Sequence, residues 1–472
     1  MNSTSRRAAL GAAALVLLPA ALHQSLGAAP AHAQEKPSCG SFSTPVVERI
    51  DPRTRTSSLT LDPAGPDVSS SRGFTSVRDA ALLAASQPGP GLVGVHRLEL
   101  SRTRDIVYSV DATEWSRLTA QGYVDRGVAF YAAARNDGCV VSVQRWRSGE
   151  LHRFTASKAD AAALSASGWT RETTPFYLRR APVDPTFSIA VYPDTQQEVG
   201  TDKRFRNRSE YLVAHRKELD LRFVTHTGDV VNWDTSDHAQ YKVAQDAMRP
   251  LEAAGIPYSM SIGNHDSQAT GPGGGARDSR RTRQLFRDTH TFNTYLSNQG
   301  LDQEGAYESG KVDNSFHVFT AGGVSWLVLN LEMWPRPGVV TWAEKVVATH
   351  PKHNVIISTH YYLTSKGRIA GEKGYGDTSP ADLSKRLVKK YANVRLVFSG
   401  HTGTMAHRVD KGVHGNRIDS FLLNWTSNDT NRTRLVSFDT KKKSLTTWVY
   451  APYTKASYPK SKIKVTRLKL VR

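Results

Sequence analysis

Cysteine is nearly absent from this chain, which has only Cys39 and Cys139 among its 472 residues. Two cysteines cannot form a zinc site alone, so soft-metal centres are disfavoured. In an exported chain, two cysteines predict one disulfide. Their wide separation indicates a tie within the N-terminal part rather than a catalytic pair.

Long hydrophobic runs are also missing after the first 33 residues. Arg6 and Arg7 precede an apolar run over 8–22, which is shorter than the ~20 residues of a membrane-spanning helix. Ala31-His32-Ala33 then fits a signal-peptide cleavage site. We predict a signal peptide over 1–33 and a secreted or cell-surface protein; an uncleaved anchor is the alternative.

Acidic residues are scarce relative to basic ones, 43 against 62, which gives a formal net charge of +19. This excess favours an anionic partner or surface and says nothing about fold. Nucleic acid, acidic lipid and an anionic cell-wall polymer all fit it, although no aromatic-and-basic recognition motif supports a nuclease. Residues 454–472 contain seven basic residues and no acid, and we interpret them as a basic tail that is either solvated or docks on an anionic surface.

An internal repeat occupies residues 40–180, where similar tripeptides recur at a 48-residue spacing, each followed by a glycine–aromatic pair. The tripeptides are Val47-Glu48-Arg49, Val95-His96-Arg97 and Val143-Gln144-Arg145, and the pairs are Gly73-Phe74, Gly122-Tyr123 and Gly168-Trp169. The period predicts an all-β repeat domain, for which a β-trefoil-like arrangement is our first interpretation. The second and third copies resemble a tandem bacterial repeat found beside exported hydrolases. The domain is either a spacer or a module that binds a glycan or wall polymer, with Trp146 and Trp169 stacking on sugars.

The C-terminal part has a different pattern. Residues 181–186 are typical of a linker. From 187 to 453, β-prone runs alternate with helical patterns such as 239–254 and 380–391, which predicts an α/β domain.

Five apolar runs of this domain end in polar side chains that bind metals or transfer protons. The residues that follow the runs are Asp194-Thr195-Gln196, Gly228-Asp229, Gly263-Asn264-His265-Asp266, His360 and Gly400-His401. Open α/β sheets place their sites at the carboxyl ends of strands, so we expect one cluster. Oxygen and imidazole ligands suit Mn²⁺, Fe or Zn²⁺. Two cations that share a carboxylate would lower the pKa of a bound water and clamp a displacement at phosphorus, and a nearby histidine would protonate the leaving oxygen.

The ordered set of these motifs resembles the calcineurin-like metallophosphoesterase family over about residues 187–452. The resemblance implies an α/β/β/α sandwich and a dinuclear site for divalent ions (Mn, Fe, Zn or Ca) that hydrolyses a phosphate mono- or diester with a metal-bound hydroxide. By resemblance, Asp229 bridges the two ions. The other ligands that it implies are Asn264, His360 and His401 at the second site, and Asp194 and Gln196 at the first. His265 resembles the family's acid, held by Asp266.

Two positions depart from the family pattern. Gln196 stands where histidine is usual, and Gly403 replaces the second histidine of the last motif. Both changes fall on the first site, which we therefore expect to hold its cation more weakly and to favour harder ions such as Mn²⁺ or Ca²⁺. His407 or His414 folding back is a further alternative.

The remaining candidates depend on position alone. His226, Asn232, His238 and Arg283 are candidate substrate contacts; a satisfied structural histidine is the alternative for His226, and a solvated basic loop is the alternative for Arg283. Glu332 is a candidate partner that orients His360. A rival interpretation is a surface- or glycan-binding protein with a degraded phosphoesterase site, suggested by Gln196 and Gly403.

Overall fold

A computed structural model describes residues 36–51, 53–61, 76–136, 138–200, 203–297, 303–424, 426 and 429–472. The predicted signal peptide and the pair Gly73-Phe74 lie outside the described residues. Over the described part of the chain, no helix has the length and apolar character that crossing a membrane requires.

The N-terminal domain is almost entirely β. Its elements are a 3₁₀ turn Cys39–Ser41, β1 (Thr44–Ile50), β2 (Ser57–Thr60), β3 (Ser76–Ala84), β4 (Leu92–Leu100), β5 (Asp105–Ser109), α1 (Ala112–Ala120), β6 (Val124–Ala133), β7 (Val140–Ser148), β8 (Leu151–Thr155), α2 (Lys158–Ala166), β9 (Thr170–Arg171) and β10 (Phe176–Arg180). The two helices begin at capping side chains, Asp111 and Ser157, which accept hydrogen bonds from backbone N–H groups of the first turn.

The three sequence repeats fold into equivalent units. Strands β1, β4 and β7 each pair with a following strand, β2, β5 and β8, and those three following strands contact one another. Strands β3 and β6 both pair with β10. Rings from the repeats, including Tyr108, Phe130, Phe154 and Phe176, meet in the shared core. The all-β prediction is confirmed.

Two expectations for this domain have clear outcomes. The predicted disulfide is present, with the Cα atoms of Cys39 and Cys139 6.0 Å apart. Trp146, by contrast, is 7% exposed and belongs to the core, so it cannot stack on a sugar.

The C-terminal part contains the remaining elements. They are β11 (Thr186–Tyr192), α3 (Arg204–Ala214), α4 (Arg216–Leu219), β12 (Leu221–His226), α5 (Ala239–Ala253), β13 (Tyr258–Met260), a 3₁₀ turn Pro272–Gly274, α6 (Thr282–Leu285), α7 (His290–Leu296), β14 (Gln303–Ala306), β15 (Ser315–Ala321), β16 (Val324–Leu331), α8 (Pro337–Thr349), β17 (His353–Thr359), α9 (Pro380–Leu383), a π turn Ser384–Val388, β18 (Val394–Ser399), β19 (Met405–Lys411), β20 (Arg417–Leu423), β21 (Thr433–Asp439), β22 (Ser444–Ala451) and β23 (Ala456–Val465).

These strands form two sheets that pack face to face. One has the order β13-β12-β11-β21-β22-β23 and the other β14-β15-β16-β17-β18-β20-β19. Alternate residues of β11 face opposite ways: Phe187 and Ile189 enter the core between the sheets, while Tyr192 joins the helix-covered side. Helices α3, α5 and α7 cover the first sheet, and α8 and α9 cover the second. This is the expected α/β/β/α sandwich.

The predicted basic tail has a different structure from the one expected. Residues 456–465 form β23, which pairs antiparallel with β22. Leu468 is buried in the core between the sheets, and the N–H of Val471 donates to Oδ1 of Asn354 at 3.0 Å. Apolar residues between the lysines explain the difference, because they give one face of the segment something to bury. The fold therefore extends past residue 453.

The two parts of the chain meet through charged groups. Glu304 on β14 contacts Arg153 at 3.0 Å and Arg55 at 2.9 Å, and both glutamate and Arg153 are almost fully buried. His353 lies 3.3 Å from Asp160 of α2. This contact fixes the repeat domain against the second sheet.

Candidate metal centre

The carboxyl ends of the parallel strands bring the predicted residues together. Asp194 lies beyond β11, Asp229 beyond β12, and His360 and His401 directly or shortly after β17 and β18. Asn264 lies beyond β13. Parallel strands end at the same edge of their sheet, and the ends of the two packed sheets meet at this point.

One half of the cluster, the imidazole side, consists of Asn264, His360 and His401 together with Asp229. Nε2 of His360 lies 3.0 Å from Oδ2 of Asp229 and 3.2 Å from Nδ1 of His401. Asp229, His360 and His401 offer ligand atoms that all lie within 4.8 Å of one another. The other nitrogen of His360, Nδ1, donates to the carbonyl of Thr227 at 3.0 Å, which leaves Nε2 for a ligand role.

Burial and neighbouring charges shift the pKa values of the groups on the imidazole side. Burial opposes the charged form of His360, but Asp229 outweighs it and raises the pKa of this imidazole to about 9. Burial and then the neighbouring His360 lower the pKa of His401 to about 4. Although burial alone would raise it, the imidazoles of His360 and His265 hold the pKa of Asp229 well below its usual range. A carboxylate that stays ionised among imidazoles is suited to a cation.

The other half, the oxygen side, consists of Asp194 and Gln196, again together with Asp229. Oδ2 of Asp194 accepts a hydrogen bond from the backbone N–H of His401 at 2.9 Å. Burial and then the charge of Asp229 raise the pKa of Asp194 to about 7. Two carboxylates in one buried site thus repel each other unless a positive charge lies between them.

Three buried oxygens test whether this cluster fits metal ions. Oδ1 of Asp194, Oε1 of Gln196 and Oδ1 of Asn264 have no hydrogen-bond partner within the described structure. A buried polar atom without a partner costs about 1–3 kcal/mol. Carboxylate and amide oxygens are common ligands of hard and borderline cations. The residues of both sides therefore fit divalent ions, which would satisfy these oxygens.

The glycines of the motifs make this close approach possible. A Cβ on Gly400 would overlap the carboxylate of Asp194, and one on Gly263 would overlap that of Asp229. Gly228 has a φ of 102°, and a Cβ there would lie 2.9 Å from Nδ1 of His360. The glycines before the ligands are thus required by space as well as by backbone conformation.

The family is decided by one comparison. Residues 187–405 match the family model of the calcineurin-like phosphoesterases. These residues form a calcineurin-like phosphoesterase domain. Residues 45–179, which precede the phosphoesterase domain, match a model described only as a domain of unknown function, DUF5648.

Individual relatives are distant. Uncharacterized protein YvnB of Bacillus subtilis (strain 168) is 25% identical over 311 residues, which are 62% of this chain and 22% of that protein. The chain thus spans about a fifth of the length of this relative. A dimetal phosphatase from Danio rerio has a TM-score of 0.39 at 11% identity, covering 60% of this chain and 99% of that one. GAP50 of Plasmodium has a TM-score of 0.36 at 11% identity and covers 60% and 90%. Because both scores are low, the assignment depends on the family match.

His265 lies at the edge of the centre of the phosphoesterase domain. Its backbone N–H donates to Oδ1 of Asp229 at 3.0 Å. Its Nδ1 donates to the backbone carbonyl of Asn232 at 2.6 Å, so the ring orientation is fixed and Nε2 is left for other partners.

Asp266 has a different role from the predicted one. Its Oδ1 accepts from the N–H groups of Val230 and Val231 at 2.8 and 3.1 Å, and its Oδ2 accepts from Gly263 at 2.8 Å. The expected contact with His265 is therefore not the one that fixes that ring. Asp266 instead holds the loop after Asp229 against the loop that contains Asn264, because buried backbone N–H groups need an acceptor.

His226 corrects another prediction. The ring is fully buried, and burial lowers its pKa well below the usual value. Nδ1 accepts from the N–H of Gly228 at 3.0 Å, and Nε2 donates to the hydroxyl of Thr195 at 3.0 Å. Thr195 in turn donates to the carbonyl of Val230. His226 thus joins the two ligand loops from behind and does not face a substrate.

The other weak candidates are engaged with neighbours. His238 donates through Nδ1 to Asp234 at 2.7 Å, and the exposed Arg283 pairs with Asp377 at 2.5 Å. Asn232 is next to the centre through its contact with His265. A substrate role for these three residues stays a prediction.

Glu332 does not orient His360. Its carboxylate accepts from Nδ2 of Asn314 at 3.1 Å and from the backbone N–H and Nε of Arg336 at 2.7 and 3.0 Å. The carbonyl of Thr227 fills the orienting role. The sequence contains no signal for this contact, since any residue supplies a backbone carbonyl.

The structure explains why Gly403 has no side chain. Its φ is 66°, and a Cβ there would lie 2.6 Å from Cβ of Ser365. The turn that contains Ser365 therefore occupies the space in which the family's second histidine is expected. His407 does not replace that histidine, because its Nε2 pairs with Asp419 at 2.9 Å and its ring stacks on Phe421.

Proposed function

We propose that this protein is an exported enzyme that hydrolyses a phosphate mono- or diester, with hydroxide as nucleophile and His265 as the acid. The observation that carries the proposal is the set of three unpartnered buried oxygens, on Asp194, Gln196 and Asn264, around a carboxylate–imidazole cluster. Such a set is costly unless a cation binds it.

Two divalent cations fit the donors. Asp229, Asn264, His360 and His401 would hold one, and Asp194, Gln196 and Asp229 the other. When bound, such ions supply a nucleophile at neutral pH by lowering the pKa of coordinated water and neutralise charge at phosphorus. The oxygen side has no imidazole of its own, so we expect weaker binding there and a preference for Mn²⁺ or Ca²⁺ over Zn²⁺ or Fe.

Residues of the chain itself position the ligand loops and protonate the leaving oxygen. Because Nδ1 of His265 donates to the Asn232 carbonyl, its protonated ring presents Nε2–H to the departing oxygen. The half-buried position of His265 leaves this edge of the ring accessible. Asp266 contributes indirectly, by fixing the backbone on both sides of the ligands.

The test uses a His265→Ala variant and two substrates that differ in leaving group. An alkyl phosphate needs protonation of its leaving oxygen and should lose about 10²–10⁴-fold in kcat, whereas p-nitrophenyl phosphate should lose much less. Metal content should equal that of the parent. His96→Ala, a partly exposed histidine that pairs with Asp125 in the repeat domain, serves as the matched control. Equal losses for both substrates would contradict the acid role of His265.

A second candidate is a surface-binding protein with a degraded phosphoesterase site. The observation in its favour is the closure of the Gly403 position by Ser365, which removes one imidazole from the oxygen side. Metal analysis after dialysis, combined with a panel of nitrophenyl mono- and diesters, nucleotides, phospholipid head groups and teichoic acid, separates the two. Absence of turnover with every divalent ion would favour this candidate.

Localisation and partners belong to the same proposal. We infer a secreted or surface-associated protein whose repeat domain, basic C-terminal segment or both contact an anionic cell-wall polymer or a glycan. The supports are the net charge of +19, the basic run of 1–33 before its apolar stretch, and the exposed lysines of β23. Sedimentation with purified cell walls, with and without residues 36–180, tests this contact.

A further inference from the structure

A polar cavity of about 520 Å³ lies between the second and third repeats of the N-terminal domain. Strand and helix residues of the second repeat, including Glu114 and Tyr123, form one wall. Residues of the third repeat, including Arg145, His152 and Glu172, form the other. Its volume is within the range of about 300–1,000 Å³ that is typical of small-molecule sites.

The floor of the cavity is a connected set of charged side chains. Arg145, whose side chain is 8% exposed, donates to both carboxylate oxygens of Glu114 at 3.1 and 2.9 Å and through Nε to Glu172 at 2.8 Å. These bonds use three of its five N–H donors. Oε1 of Glu172 lies 3.8 Å from Arg147, beyond hydrogen-bond distance. The floor therefore retains both donors and acceptors in fixed positions.

His152 adds a further directed group. Its Nδ1 donates to Asp105 at 2.6 Å, because a carboxylate oxygen only accepts, and Tyr123 donates to the same carboxylate at 2.7 Å. Nε2 of His152 is then 3.6 Å from Glu172. Asp105 is fully buried, so it fixes the imidazole and is not itself a contact for a ligand.

The rim of the cavity is exposed and basic. The side chains of Arg102, Arg117 and Arg147 are 58%, 57% and 55% exposed, and Glu150 is paired with Arg102. Taken together with Asp105, the floor and rim carry four arginines and four carboxylates. Formal charges thus cancel when the histidine is counted as neutral. Two of the acids, Glu114 and Glu172, lie at the floor, whereas Glu150 lies at the rim. A phosphate or sulfate group reaching the floor would meet Glu114 and Glu172.

We propose that this cavity binds a neutral, polyhydroxylated ligand, namely the end or a short stretch of a carbohydrate chain. Vicinal hydroxyls both donate and accept, and so match a floor in which carboxylates and a guanidinium are held side by side. A site that hydrogen-bonds hydroxyl groups is selective, because its buried polar groups are left unpaired by other ligands. The proposal rests on, and narrows, the glycan contact under Proposed function and is independent of the phosphoesterase chemistry.

The test is isothermal titration calorimetry of the full chain with cello-, chito- and maltotetraose and with a heparin tetrasaccharide. We expect at least one neutral tetrasaccharide to bind. Glu172→Gln should weaken that binding about tenfold or more. Gln121→Trp, at an exposed rim position outside the charged network, should block it. Arg135→Gln, an exposed arginine of the same domain, should leave it unchanged.

Several outcomes overturn the proposal. One is the absence of heat with every neutral tetrasaccharide at about 10 mM. Another is tighter binding of heparin than of any neutral sugar. A third is unchanged binding in Gln121→Trp, which would show that the sugar binds elsewhere on the protein and not in the cavity. Melting temperatures of the variants show whether they fold, and hydrolysis of p-nitrophenyl phosphate tests the phosphoesterase proposal separately.

Discussion

The two sides of the metal centre share Asp229 but are built with different donors. The imidazole side has two histidines that contact each other, and His360 also contacts the shared carboxylate and is oriented by the backbone carbonyl of Thr227. The oxygen side has a carboxylate and an amide whose inward oxygens lack partners. The carboxyl ends of these strands thus offer a nitrogen-rich and an oxygen-rich cation position side by side.

Packing maintains this asymmetry. Gly403 cannot regain a side chain while Ser365 lies against it, whereas Gln196 occupies a position where a side chain already points inward. The two departures from the family pattern are therefore unequal: one is reversible by substitution and the other is fixed by the surrounding turn.

The largest effect is expected where the two sides meet. Asp229→Asn removes the carboxylate that both share, and we expect kcat to fall by about 10³-fold, ~4 kcal/mol. Metal content, measured by plasma mass spectrometry, should fall with it. Asp246→Asn, which weakens only the exposed pairs with Arg206 and Arg249, is the matched control. Unchanged metal content on both sides would show that the sides do not depend on Asp229.

The next effect distinguishes the ligand histidines from the one behind them. His226→Phe leaves the buried N–H of Gly228 without a partner, at about 1–3 kcal/mol in free energy of unfolding. It also removes the bond that the Thr195 hydroxyl accepts, although that hydroxyl still donates to the carbonyl of Val230. Urea denaturation in EDTA checks this loss, which should persist without metal. A loss seen only in the metal-loaded protein would instead place His226 among the groups that hold the cations.

A smaller effect is expected at Gly403, whose surroundings leave no room for a side chain. Gly403→His places a side chain at a φ of 66° against Ser365, and we expect a loss of about 2 kcal/mol of stability and no gain in metal. Ser365→Gly in the same chain should recover part of that stability. Tighter metal binding in the single variant would show that the turn moves easily.

The smallest effect is expected at Gln196, where a histidine can replace the side chain. Gln196→His adds an imidazole to the oxygen side, and we expect Zn²⁺ to bind there about tenfold more tightly relative to Mn²⁺, ~1.4 kcal/mol. Competition titrations of the metal-free protein measure the ratio. Gln121→His, at the rim of the repeat domain, is the control. An unchanged ratio would mean that the donor set of the oxygen side does not decide its metal.

Most of the candidate ligand set could be predicted from the sequence because each candidate ligand follows an apolar strand. A buried strand must end at the sheet edge, and its next polar residues then lie at that edge whatever the rest of the fold does. The same logic predicted the repeat domain and the disulfide, since period and cysteine number are local properties of the chain. The prediction of a tail over residues 454–472 is wrong, because the many lysines obscure the alternation of buried and exposed residues in β23.

What the sequence could not determine depends on partners that are distant along the chain. Asp194 lies against Gly400, Asp229 accepts from the N–H of His265, and Arg145 pairs with Glu114 and Glu172, although these residues are far apart in the sequence. Only the tertiary structure decided the contacts of these residues. His226 forms hydrogen bonds through both ring nitrogens, and Asp266 accepts from backbone N–H groups rather than binding His265. Ser365 fills the space beside Gly403. The physical reason is that a side chain's role depends on which buried groups need its hydrogen bonds, and only packing determines those neighbours.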